Sequence, residues 1–121
     1  MNVLNDLIIA NAPMNADAFS TPIGLPNIVG YACQAEIVGS NINGFIKIQV
    51  SCDPAPQNRQ NNIVPTNWTD IPCSQLTLVT SGDITWNVLE VFYSWFRIVY
   101  LDNSGGTSDG VLNVRAVAKG V

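Results

Sequence analysis

The residues able to do chemistry are few, and their spacing suits no known reaction. The 121-residue chain has no His, which removes the commonest general base, metal ligand and pH switch. Its three cysteines, Cys33, Cys52 and Cys73, are too far apart for a close-spaced metal pair. No imidazole could complete a zinc site. A nucleophilic cysteine would also lack an activating base. Cys33 and Cys52 fall at apolar-phase positions of expected strands, so both read as small core residues. An odd number of cysteines reads as free thiols. The oxygen-rich run from Asp102 to Gly110 has side chains that could suit calcium, but it lacks a bidentate Glu. Its Asn, Ser and Gly residues read better as turn formers. Trp68, Trp86, Trp95, Tyr93 and Tyr100 could supply stacking faces for sugar rings, or they could fill a core. No catalytic, cofactor or metal residue is expected.

Composition points the same way. Hydrophobic residues make up 47% of the chain and charged residues 12%, against a usual charged share of about 25%. This excludes a disordered chain, which needs low hydrophobicity and high charge. The formal net charge is -4, which argues against phosphate-driven nucleic-acid binding. No apolar run approaches the roughly 18 residues of a membrane span. The first residues carry no basic cluster and Asp6 interrupts their apolar stretch, so no secretory leader is expected. So low a charge density suits a surface packed against other subunits.

The elements that must carry these residues are strands. Period-2 alternation recurs between clusters of Gly, Asn, Pro and Ser. Ile28 to Val38 places Tyr31, Cys33, Ala35 and Ile37 on one face. Phe45 to Cys52 alternates Ile46, Ile48, Val50 and Cys52 with Lys47, Gln49 and Ser51. Ser94 to Leu101 is apolar on both faces, as in a central strand covered on two sides. Val111 to Lys119 turns Leu112, Val114, Ala116 and Ala118 inward. Weaker strands are expected at Val3–Ala10, Ala18–Ile23, Trp68–Ile71, Gln75–Thr80 and Asp83–Val88. Gly39 to Gly44 reads as a hairpin connection. Trp86 and Trp95 are expected between the sheets, and Ile48, Val50, Trp95, Ile98 and Val114 in the core. The expected fold is all-β: an antiparallel, jelly-roll-like β-sandwich of about eight strands in one domain, residues 1–121. Residues 1–27 form an N-terminal arm or an edge strand of it. The aperiodic stretch from Asp53 to Thr66 reads as a contact loop. The expected interface residues are Val3, Leu4, Leu7 and Ile9 in the first segment, Asn58, Arg59 and Asn61 in the loop, and Trp68 beside it.

Several stretches form an ordered pattern: Phe45-Ile46-Lys47-Ile48-Gln49-Val50-Ser51-Cys52-Asp53-Pro54, Asn67-Trp68-Thr69-Asp70-Ile71, Trp86-Asn87-Val88, Tyr93-Ser94-Trp95-Phe96-Arg97-Ile98-Val99-Tyr100 and a closing Lys119-Gly120. Over residues 28–121 this order resembles small virion proteins of tailed bacteriophages. The resemblance implies a non-enzymatic structural protein of the virion, either a capsid decoration (cement) protein or a head or tail accessory protein. It also implies a homo-oligomer, with a trimer expected, bound to the major capsid or tail protein. The alternative is a carbohydrate-binding sandwich used in host attachment. No nucleic-acid or membrane partner is expected.

Overall fold

The computed structural model describes residues 2–25, 28–54, 65–89 and 91–120. Ten strands are present among them: β1 (Asn2–Pro13), β2 (Ala18–Phe19), β3 (Ile23–Gly24), β4 (Ile28–Val38), β5 (Gly44–Ser51), β6 (Thr69–Asp70), β7 (Leu76–Leu78), β8 (Gly82–Val88), β9 (Trp95–Asp102) and β10 (Val111–Gly120). One sheet runs β1-β10-β4-β8, and the other runs β2-β9-β5-β6, with β3 also on β9 and β7 also on β5. Every pairing is antiparallel. If β2 with β3 and β6 with β7 each count as one broken strand, eight strands remain, and their order is that of a jelly roll. Among the described residues no helix is long and apolar enough to cross a membrane.

The two sheets meet through the faces that the alternation marks. Tyr31, Cys33, Ala35 and Ile37 of β4 and Leu112, Val114, Ala116 and Ala118 of β10 are buried against Ile46 and Ile48 of β5 and Phe96, Ile98 and Tyr100 of β9. The Tyr31 ring stacks on Phe96 at 4.1 Å between centroids. Small residues on β4 and β10 oppose large ones on β9, which lets the layers interdigitate. The N-terminal segment is an edge strand of this same sandwich: β1 pairs with β10 along its length, with three register shifts. Asn11, at φ 49°, sits at one of these irregularities, where a left-handed residue bends an edge.

Four expectations need correction. Gly39–Gly44 is not a hairpin, because β4 and β5 belong to different sheets. The connection instead crosses the sandwich and is tied to the β9–β10 connection. Asp109 accepts from the Ser40 and Asn41 amides at 3.0 and 2.8 Å and from Ser40 Oγ at 2.6 Å. Cys52 is exposed, since β5 ends at Ser51 and the apolar phase stops with the strand. Trp95 is buried, but on the opposite face of β9 from the core residues Phe96 and Ile98. There its Nε1 donates to the Pro54 carbonyl at 3.1 Å. Val50 is half-buried rather than fully enclosed.

The breaks in the two broken edge strands share one cause. Ile48 and Ile98 stand directly opposite each other. Each turns its own backbone groups away from the other, as a non-hydrogen-bonded antiparallel pair must. On one flank the Ile98 amide donates to Ser20 Oγ at 2.9 Å, between β2 and β3. On the other flank the Ile48 amide donates to Ser74 Oγ at 3.2 Å, between β6 and β7. Two buried hydroxyls therefore replace two ladder carbonyls at the same level of the sheet. Short, interrupted edges of this kind resist strand addition by other chains. Ser74→Ala and Ser20→Ala should each cost about 1–3 kcal/mol, because each strands a buried amide. The exposed Thr80→Ala, whose hydroxyl has no hydrogen bond among the described residues, should stay within about 0.5 kcal/mol. Urea unfolding midpoints of the three variants test this, and equal midpoints would refute it.

Candidate functional site

The outer face of the second sheet carries a connected row of polar side chains. Inward residues of β9 alternate with Trp95, Arg97, Val99 and Leu101, which must point outward. Beside them β5 presents Phe45, Lys47 and Gln49. Register sets Gln49 against Arg97 on one side and against Asp70 of β6 on the other. Gln49 bridges the two: its Oε1 accepts from Arg97 Nε and Nη2 at 2.9 and 2.7 Å, and its Nε2 donates to Asp70 Oδ1 at 2.9 Å. The other Asp70 oxygen accepts from Lys47 Nζ at 2.9 Å. Hydrogen bonds from Lys47 and Gln49 hold the Asp70 carboxyl below its ordinary pKa.

Two rings frame this chain of polar groups. The Arg97 guanidinium carbon lies 5.1 Å from the centroid of Phe19 and 4.4 Å from that of Trp68. Phe19 comes from β2, on one side of β9, and Trp68 from the stretch ahead of β6, beyond β5. Phe19 is 53% exposed, while Arg97 and Trp68 are half-buried. Partial burial lowers the Arg97 pKa from its ordinary value, but the group starts so high that it stays charged.

A second feature is apolar. At one end of the first sheet a shallow concavity of about 410 Å³ is lined by Val29, Gly30, Ala32, Val88, Leu89 and Val117, among others. It forms because Gly30 and Ala32 are small while their neighbours on β8 and β10 are not. The β8–β9 connection leaves Leu89 at its rim 85% exposed and Phe92, three residues on, 89% exposed.

The expected interface residues are scattered. Trp68 stands in the Arg97 cluster. Val3, Leu4, Leu7 and Ile9 all lie in β1; Leu7 is exposed and Leu4 half-buried, but Ile9 is committed to this chain's own core. Asn58, Arg59 and Asn61 lie outside the described residues. The five aromatic residues that could have formed one sugar platform are dispersed. Tyr100 is in the core. Tyr93 pairs with Tyr31 through their hydroxyls at 2.6 Å. Trp86 closes the sandwich edge by donating to the Ser74 carbonyl at 3.1 Å. Only Trp68 and Trp95 belong to the outer face of the second sheet. Arg97, Gln49, Phe19, Leu89 and Phe92 were missed by the sequence reading. The available signals were a lone cation in an apolar strand, and apolar residues in the stretch between two expected strands.

Among the described residues no group of three or more His, Cys, Asp and Glu could hold a metal ion. Burial pushes the Cys33 thiol up to about 12, so it stays protonated and inert at neutral pH. The Asp102 carboxylate is occupied by its own loop, accepting from the Ser104 and Gly106 amides at 2.9 and 3.0 Å. These bonds, with that from Ser104 Oγ, lower its pKa. The oxygen-rich run is thus a tied turn, with Gly105 and Gly106 supplying positive φ.

No family model matches the chain, and no curated protein matches it. Among solved structures the chain is similar to the crystal structure of SPBc2 prophage-derived protein YomS. The TM-score is 0.55 and the identity 9%, covering 94% of this chain and 89% of that one. At that identity the likeness is one of fold.

Proposed function

We propose that the chain is a non-enzymatic structural protein of a phage particle, where it assembles with copies of itself and seats on a capsid or tail surface. The observation that carries this reading is the near-complete exposure of two large apolar side chains in one connection, Leu89 at the rim of an apolar concavity and Phe92 three residues on. Covering either side chain is worth about 1.5–3 kcal/mol, and apolar ground of this kind marks an interaction surface. The prophage origin of the structural neighbour YomS and the low charge of the chain support the same reading. The expected assembly is a trimer located on the virion, as a capsid decoration protein or a head or tail accessory protein. A sugar-binding role in attachment has less support, because the ring faces of Phe19 and Trp68 that look toward Arg97 are covered by its guanidinium.

Light scattering and co-sedimentation test the proposal. The wild-type chain should run as a trimer, or should co-sediment with particles lacking it. Leu89→Ser combined with Phe92→Ser should abolish both behaviours while leaving the circular dichroism unchanged, since neither side chain packs into the core. A wild-type chain that stays monomeric and binds neither heads nor tails would overturn the proposal.

A further inference from the structure

The outer face of the second sheet holds a cation that has no acid partner among the described residues. Arg97 spends one edge of its guanidinium, Nε and Nη2, on the neutral oxygen of Gln49. The nearest carboxylate in this network, Asp70, is already bonded to Gln49 and Lys47. Nη1 has no hydrogen-bond partner among the described residues, and Nη2 has a second N–H to give. The end edge of the fork is therefore open. It is also pre-positioned, since Gln49 fixes its plane and two rings lie against it.

We propose that Arg97, held by Gln49 between Phe19 and Trp68, is a docking site for a carboxylate side chain presented by the protein surface on which this chain assembles. This rests on the reading of the chain as an assembly protein. Two parallel N–H donors match the two oxygens of one carboxylate in a bidentate pair. Flanking rings and partial burial exclude water and strengthen that pair over one in bulk solvent. Arginine with tryptophan or another ring is also the composition of interface hot spots. A nucleic-acid backbone fits poorly: Lys47, the other cation of this face among the described residues, is paired with Asp70, and a polyanion needs several open charges. A sugar acid has the right charge, but its ring would need the aromatic faces that the guanidinium occupies.

The test uses the full chain and three small probes: glutamate capped at both ends, glutamine capped likewise, and glucuronate. The Arg97 Nε–H signal in nitrogen–proton spectra is the readout, since its hydrogen bond to Gln49 protects it from exchange. Capped glutamate should shift the signal saturably and capped glutamine should not. Arg97→Lys, followed through the neighbouring backbone amides, should weaken the saturation about tenfold or more, because a point charge cannot make the bidentate pair. The same variant should keep the wild-type oligomer and circular dichroism. This separates failure here from failure of the assembly reading, which is judged by the Leu89 and Phe92 variants. Absence of a saturable shift with capped glutamate, an equal shift with capped glutamine, or saturation by glucuronate at a lower concentration than by capped glutamate would each overturn the proposal.

Discussion

Replacing Gly44 by alanine should unfold the protein at a far lower urea concentration than wild type. A Cβ built at this buried position would sit 2.5 Å from both Cε1 and Oη of Tyr100 and 2.7 Å from its Cζ. These are atoms of a wholly buried ring, not the tip of a flexible side chain. The ring cannot swing aside cheaply, because its hydroxyl donates to the buried Met14 carbonyl at 2.9 Å. Nor can the backbone retreat: Gly44 is paired with Asp102 on one flank and Leu78 on the other. Overpacking costs about 1–3 kcal/mol or more, and stranding the Met14 carbonyl adds about 1–3 kcal/mol. Against a typical stability of about 5–15 kcal/mol, the sum removes much of the fold. Gly82→Ala is the control, with no atom within 4 Å of its added Cβ. Equal midpoints for the Gly44 and Gly82 variants would refute the packing around Tyr100.

What the sequence revealed and what it concealed divide along one physical line. Alternation is a local signal, so Ile28–Val38 was legible with its observed bounds, as was the inward set of Val111 to Lys119. Sheet membership is not local. Gly39 to Gly44 has the composition of a hairpin, yet the chain crosses between layers there, and only long-range pairing decides that. The same holds for the edge strands. Ala18 to Ile23 looks like one weak strand, and nothing nearby says that Ser20 will accept the amide of Ile98. Ser94 to Leu101 was legible as covered on both faces, but not the different covers: the opposite sheet lies over Phe96 and Ile98, whereas Phe19 and Trp68 flank Arg97 on the other side. The Arg97 site was nearly invisible, because Phe19, Gln49, Trp68 and Arg97 come from four separate stretches of chain. Cys52 misled because an apolar phase can run past the end of its strand.

Truncation along β5 should produce a falling series of costs that reads out its register. Ile48 is enclosed at the centre of the second sheet. Its inward neighbour Val50 is half-buried, and Cys52, two residues further on, is exposed beyond the strand end. Ile48→Ala should cost about 2–5 kcal/mol, the range for deleting several buried carbons and leaving a cavity. Val50→Ala should cost less, about 1 kcal/mol, since part of its surface already meets water. Cys52→Ala should stay within about 0.5 kcal/mol, as surface changes do. A one-residue slip would move the outward set, Lys47 and Gln49, into the core. It would also break the bonds of Gln49 to Arg97 and Asp70. Lys47→Ala and Gln49→Ala therefore complete the test: each is half-buried on the outer face and should cost about 1–2 kcal/mol, less than Ile48→Ala, since each loses hydrogen bonds to a charged partner but opens no core cavity. Urea midpoints read all five variants on one scale. An Ile48→Ala protein as stable as wild type, or a Cys52→Ala protein as damaged as Ile48→Ala, would overturn the register that joins β5 to β9 and positions Arg97.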